Sequence, residues 1–150
     1  MVGRVASWIA GLMRENYEAV GFIPEPAIQS QYVANERYVL AMDERSRRVG
    51  YILHGKPQYG RSLNIAQHCI QDELRRNGNG ERALRHLVER ARSVDVSVIT
   101  VRCATDLESL GFWTAQGFEL RDIVPGGQRR GRSIARLWLP ISAPLFEAAS

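Results

Sequence analysis

Between Leu63 and Arg92 the chain passes from a mostly apolar run, through a Gly-rich basic turn, into an amphipathic helix. That succession leaves few folds open. The run is Leu63-Asn64-Ile65-Ala66-Gln67-His68-Cys69-Ile70, followed by polar Gln71-Asp72-Glu73-Leu74 and then Arg75-Arg76-Asn77-Gly78-Asn79-Gly80. From Glu81 to Arg92, Ala83, Leu84, Leu87, Val88 and Ala91 share one face, and Arg82, Arg85, His86, Glu89 and Arg90 the other. The spacing predicts a helix with a core-facing stripe and a solvated charged side. His86 falls on the wet side and gains no functional part.

Read physically, this is strand, turn, helix. A helix that opens directly from such a turn points several unpaired N–H groups at one spot, and its dipole adds partial positive charge. Glycines let a bulky anion approach the backbone, so the natural guest is a phosphate or pyrophosphate. Arg75 and Arg76 add full charges and bidentate donors. The plainer alternative is a connection that merely turns with Asn-Gly chemistry. The spacing fits neither Gly-x-x-x-x-Gly-Lys-Ser/Thr nor Gly-x-Gly-x-x-Gly.

Arg75-x-x-Gly78-x-Gly80, after a strand and before an amphipathic helix, resembles the acyl-CoA pyrophosphate loop of the GNAT family of N-acyltransferases, written Gln/Arg-x-x-Gly-x-Gly/Ala. Phe112-Trp113-Thr114-Ala115-Gln116-Gly117-Phe118 is similar to that family's Phe-Tyr-x-x-x-Gly-Phe segment. Two matched blocks are more specific than one. The resemblance runs from Val39 to Trp138 and is weak before that.

Composition sets the remaining bounds. At 150 residues the chain reads as a single domain, 1–150, with a peripheral tail over 140–150. No apolar run approaches the ~20 residues that span a bilayer. The start is a poor signal peptide, because Arg14 and Glu15 break its apolar stretch. The expectation is a cytoplasmic protein with no membrane partner. Cys69 and Cys103 both fall on predicted strands, and cytosolic thiols stay reduced. Two cysteines and three histidines without tight spacing make no zinc site, so no metal is expected. The formal charge is +4, and Lys56 is the only lysine. An arginine-rich surface suits phosphate-bearing partners; a compositional bias of the source genome explains it equally simply.

In chain order, Val5 to Val20 reads as a helix, with Ile9, Leu12, Met13, Asn16 and Tyr17 near helical spacing. Gly21 stops it and Pro24-Glu25-Pro26 enforces a break. Ala27 to Asn35 is a short second helix. Arg37 to Met42 and Arg48 to His54 form a hairpin around a polar connection. Gly55 to Arg61 is a loop, and the strand–turn–helix stretch follows. Val94 to Cys103 is a strand whose almost continuous apolar run suggests burial on both faces. Thr105-x-x-Glu108 is a capping box, and Gly117 ends the helix it starts. Phe118 to Val124 and Arg132 to Leu139 are the last strands. The fold class is α/β: a central mixed, mostly antiparallel sheet flanked by about four helices. The resemblance adds that the family's first strand is missing or very short, with Val2 to Val5 as its remnant.

The resemblance also implies a site. Backbone groups of Cys69, Ile70 and Gln71 would pair with the pantetheine arm of acetyl-CoA like an added strand. The pyrophosphate would sit on Arg75, Arg76, Asn77, Gly78, Asn79 and Gly80. Many members carry a Tyr proton donor where this chain has Trp113, whose indole releases no proton near neutral pH. Trp113 then reads as packing or as a wall of the acyl pocket. No carboxylate stands where many members place a catalytic Glu. His68 is the nearest titratable replacement and has a suitable intrinsic pKa; the alternative is a structural histidine. His54 is a second candidate near the substrate pocket. Asp106 stands where the family often has an Asn beside the cofactor arm; its simpler role is a first-turn carboxylate favoured by the helix dipole. Cys103 has nothing nearby to lower its pKa.

The leading expectation is an acetyl-CoA-dependent N-acetyltransferase acting on a small-molecule or protein amine, as a monomer or homodimer. A second is a nucleic-acid-directed member, since Mom-type DNA-modifying proteins and toxins that acetylate aminoacyl-tRNA are also GNAT-like. Arg129, Arg130, Arg132 and Arg136 near the last hairpin would serve it. A third is a domain that binds CoA and catalyses nothing. Acceptor specificity would come from the first two helices and the last hairpin.

Overall fold

The computed structural model describes residues 2–16, 20–58, 61–71, 77–106, 109–126 and 133–141. Six strands run in the order β1-β2-β3-β4-β6-β5: β1 Tyr38–Met42, β2 Arg48–His54, β3 Ser62–Ile70, β4 Val98–Ala104, β5 Glu119–Pro125 and β6 Ser133–Pro140. Among the described residues the helices are α1 Val2–Glu15, α2 Glu25–Ala27, α3 Asn79–Ser93 and α4 Ser109–Ala115. A π-helical stretch, Ile28–Val33, continues α2. By contacts the chain divides into two compact units, Met1–Lys56 with Ile65–Leu87, and Pro57–Asn64 with Val88–Ser150.

In the first unit, β1, β2 and β3 pair antiparallel in sequence order. α1 packs its Ala6, Ile9, Ala10, Leu12 and Met13 stripe into a core with Ile28, Val33, Tyr51, Leu53 and Cys69. Helical spacing marks Ile9, Leu12 and Met13 of this stripe; Ala6 and Ala10 complete it, and α1 ends at Glu15 rather than at Val20. Tyr17 lies outside the described residues. Val2 to Val5 belong to α1 and form no strand remnant, because Val5 and Ala6 begin the stripe that the core needs. The second helix starts two residues earlier than expected, with Pro26 in its first turn, where its missing N–H costs nothing. It then widens: Ala34 N–H reaches Gln29 O at 2.8 Å, an i→i−5 bond. The wider turn places both Ile28 and Val33 in the core. α3 buries Ala83, Leu84, Leu87 and Ala91 and exposes Arg82, Arg85, His86, Glu89 and Arg90.

In the second unit, β6 pairs antiparallel with both β4 and β5. β4 begins at Val98, four residues later than the apolar run suggested. Val94 is exposed and Asp95 takes φ 61°, so 94–97 is a turn. The expected burial on both faces is also corrected. Ile99, Val101 and Cys103 are buried, Thr100 is half-buried and Arg102 is exposed. One face is therefore apolar and one is open. Glu108 of the expected capping box lies outside the described residues. α4 ends as Gly117 implied: Gly117 has φ +97°, its N–H bonds Thr114 O, and Phe118 N–H reaches back to Trp113 O. Those two bonds define a Schellman ending. The edge strand β5 carries Glu119, Arg121 and Asp122, and its register shifts between Leu120 and Asp122. Charge and a bulge both discourage edge-to-edge pairing.

No helix among the described residues is long and apolar enough to cross a membrane. Among those residues no three His, Cys, Asp or Glu are grouped to hold a metal ion.

Candidate functional site

Gly78 is the hinge between the turn and α3. Its φ is +81°, a left-handed conformation that costs an ordinary residue about 1–2 kcal/mol. Its carbonyl accepts the first helical bond, from Arg82 N–H at 3.0 Å. Asn79, Gly80 and Glu81 precede that bond and make up the first turn of α3, whose N–H groups point out of the helix end. They form the row of main-chain donors expected from the sequence. Asn77 is exposed, while Asn79 and Gly80 are buried, so the row runs inward from the surface.

Arg82 joins this row, which sequence periodicity did not foresee. Its guanidinium folds back to donate to Asn79 Oδ1. A β-carbon on Gly78 would stand 3.3 Å from Arg82 Nη1. A full positive charge therefore hangs over the turn. The available signal was direction: helical side chains lean toward the N-terminus, so a residue one turn in can reach the cap. Arg75 and Arg76 lie outside the described residues.

The end of β3 is held against β2 by a close approach. Gly50 sits opposite Ile70. A β-carbon on Gly50 would lie 2.4 Å from Cys69 O and 2.4 Å from Ile70 Cδ1. Gln71 N–H donates to Val49 O at 2.8 Å. The main-chain groups of Cys69 and Gln71 thus face β2, and by alternation those of His68 and Ile70 face away from it. Of Cys69, Ile70 and Gln71, Ile70 is thus the one whose main-chain groups turn away from β2.

The two candidate histidines lie on paired strands but not in register. His68 pairs opposite Ile52, whereas His54 pairs opposite Ile65, beyond a register shift between Leu53 and His54. His54 is buried, and its Nδ1 lies 2.8 Å from Gly55 O. A carbonyl only accepts, so Nδ1 carries the proton and neutral His54 keeps its lone pair on Nε2. His68 is half-buried.

Gln67 projects from the opposite face of β3. It is buried and fully engaged. Its Oε1 accepts from Tyr51 Oη at 3.0 Å. Its Nε2 donates to Val20 O at 3.0 Å and lies 3.3 Å from Gly21 O. Burial pushes the Tyr51 phenol above its ordinary pKa, so it stays a proton donor. Ile23 N–H meets Met13 Sδ at 3.2 Å. The segment after α1 is therefore tied to β3 and α1 on both sides of Phe22, which is 65% exposed. Sequence reading passed over Gln67 because it sought a carboxylate on this strand.

In the second unit, Trp113 is buried edge-on between Phe112 and Phe118, with ring centroids at 4.9 and 5.2 Å. Its place is in the core of that unit. Truncation to alanine should cost about 3–5 kcal/mol, read as a drop in the urea midpoint. Burial raises the Cys103 thiol pKa, partly offset by a hydrogen bond with Ser109 Oγ at 3.0 Å. Burial thus disfavours the thiolate form of Cys103. Asp106 is exposed in the turn after β4, three residues before α4.

Comparison with known proteins places this geometry. The family model described as "Acetyltransferase (GNAT) family" matches residues 5–118. No curated protein sequence matches the chain. Solved structures do. Ard1 from Thermoplasma volcanium superposes with a TM-score of 0.78 at 14% identity, covering 94% of each chain. An aminoglycoside 6'-N-acetyltransferase complexed with coenzyme A gives 0.76 at 14% identity, covering 94% of this chain and 93% of that one. The ribosomal-protein-S18-alanine N-acetyltransferase from Escherichia coli gives 0.69 at 15% identity, covering 95% and 89%. At such identities the likeness is one of fold.

Proposed function

The chain belongs to the acetyltransferase (GNAT) family, and we propose that it moves an acetyl group from acetyl-CoA to the nitrogen of an amine. The observation that carries this reading is Gly78, left-handed at the entry to α3, with the first-turn amides of Asn79, Gly80 and Glu81 following it. A diphosphate fits such a row, with Arg82 overhead and Arg75 and Arg76 adjoining it in sequence. Ile70 is the main-chain position for the pantetheine arm, since its groups turn away from β2. Two of the similar folds are by name N-acetyltransferases, which favours an amine acceptor.

Acetyl-CoA supplies an acyl group already activated as a thioester. The chain must then deprotonate the attacking ammonium and offer a donor to the carbonyl oxygen. His68 is the proposed base, and His54, on the neighbouring strand, is the second candidate. The Ile70 amide is the proposed donor. Trp113 sits in a core and cannot supply a proton to the thiolate, so that proton comes from solvent or from the base.

Gly78→Val tests the loop. A β-branched residue is strained at φ +81° and crowds Arg82 Nη1. Affinity for CoA, by calorimetry, should fall at least about tenfold, or 1.4 kcal/mol; unaltered affinity contradicts the loop assignment. His68→Ala tests the base. Thiol release across an amine panel should fall by about 10²–10⁴ in kcat/KM, and the acidic limb of the pH–rate profile should vanish. Turnover unchanged at every pH retires His68. Tight CoA binding by the wild type without thiol release for any amine would leave a silent CoA-binding domain.

A further inference from the structure

The second unit turns one face of its sheet to solvent, and that face is chemically specific. β4 and β6 pair Thr100 with Trp138 and Arg102 with Arg136, so all four side chains stand on one side. β5 sets Glu119 opposite Trp138 and Asp122 opposite Arg136. Trp138 is 36% exposed, and Arg102 and Arg136 are exposed. The opposite face holds Ile99, Val101, Cys103, Ala135 and Leu137, all buried.

Two features of the open face point to an occupant. Arg102 and Arg136 are directly opposite each other, a like-charge pairing that destabilises a sheet. Asp122 answers only one of them: Arg136 Nε donates to Asp122 Oδ1 at 2.6 Å, which holds that carboxyl below its usual pKa. The second feature is the aromatic. Arg121 places its guanidinium 5.3 Å from the Trp138 ring centroid. Thr100 Oγ1 and Asn64 Oδ1, 3.0 Å apart, add hydrogen-bonding edges beside it.

We propose that this face binds single-stranded nucleic acid, with a base stacked at Trp138 and phosphates on Arg102, Arg121 and Arg136. A flat sheet carrying an exposed aromatic lets an unpaired base lie on it, and guanidiniums track the backbone around it. Arg121 caps the ring in the free protein and turns to a phosphate when a base takes its place. Arg102, opposite Arg136 and with no carboxylate across the β4–β6 pair, favours an anionic occupant, while Glu119 and Asp122 on the same face make a second copy of the chain the outcome that the test must separate. Duplex is disfavoured, since its bases offer no open face to stack. The proposal stands apart from acetyl transfer and needs neither histidine nor the Gly78 loop.

The test is anisotropy of a fluorescent oligothymidylate titrated with the protein at two salt concentrations. Three phosphate contacts on a single strand give a log–log slope of about −2, so binding should weaken roughly 20-fold between ~50 and ~200 mM salt. Trp138→Ala should weaken it by about tenfold or more. Arg102→Gln, at an exposed position, should also weaken it and reduce the slope. Arg85→Gln, on the solvated side of α3, should leave it unchanged. No binding at low salt overturns the proposal. So does binding that ignores both Trp138→Ala and Arg102→Gln. A concentration-dependent dimer that Arg102→Gln strengthens and that excludes the oligonucleotide would assign the face to a second copy instead.

Discussion

Alanine at position 50 is expected to destabilise the protein by about 2–4 kcal/mol, against the sign that strand propensity predicts. Glycine inside a strand ordinarily costs about 0.5–1 kcal/mol relative to alanine. Here the alanine β-carbon would lie 2.4 Å from Cys69 O and 3.0 Å from Ile70 Cα, both fixed by the β2–β3 ladder. Ile70 Cδ1, also at 2.4 Å, can rotate away, but the main-chain atoms cannot. Overpacking of this kind costs about 1–3 kcal/mol, and the shifted ladder adds lost hydrogen bonds. In thermal melts the midpoint should drop by about 5–10 °C for a chain of this size. Because the displaced atoms belong to Cys69 and Ile70, affinity for CoA should fall as well, by more than for a destabilised variant elsewhere, such as Trp113→Phe. A melting temperature equal to or above wild type would mean that β2 and β3 are not so close.

That close approach marks the boundary of what the sequence could disclose. The α3 stripe was legible because a period of 3.6 residues is written in consecutive positions. The left-handed cap at Gly78 and the Schellman ending at Gly117 were legible because glycine in a turn after or before a helix has few other reasons to be there. Val49-Gly50-Tyr51 carries no comparable sign. The need for glycine at 50 arises only once β3 is laid beside β2, a partner some twenty residues on.

The one-sided burial of β4 has the same origin. An almost continuous apolar run implies two buried faces, yet pairing places Thr100 and Arg102 on the open face with Trp138 and Arg136. Arg82 shows a third limit. Its helical position was assigned correctly, but its guanidinium is 3.3 Å from where a Gly78 β-carbon would stand. Side-chain direction, not periodicity, puts charge there. In each case the local rule held, and what it missed was set by a second segment or by rotamer.

Gln67→Glu should produce the second large effect, and one whose pH dependence identifies its cause. In the wild type the amide nitrogen donates to Val20 O, while the amide oxygen accepts from Tyr51 Oη. A carboxylate keeps the acceptor but presents a second negative oxygen to the carbonyls of Val20 and Gly21. Burial and these dipoles both disfavour the charged form, so the folded-state pKa rises above the unfolded value of about 4.3. For a carboxyl raised in this way, the protonated form is the one the fold tolerates. Near pH 4 and below, the new Glu can donate to Val20 O, and the variant should lie within about 1–2 kcal/mol of wild type. As pH rises past 4.3, its stability should fall by about 1.4 kcal/mol per unit until the folded-state pKa is passed. At neutral pH the deficit should reach about 3–5 kcal/mol, the cost of an uncompensated buried charge. Gln67→Leu removes the donor without adding charge, so its deficit should stay constant over the same range. Urea titrations of both variants from pH 4 to pH 8 separate the two causes. A Gln67→Glu deficit that does not grow with pH would show that its carboxylate reaches water, and so that the segment around Phe22 is not clamped to β3 as these bonds require.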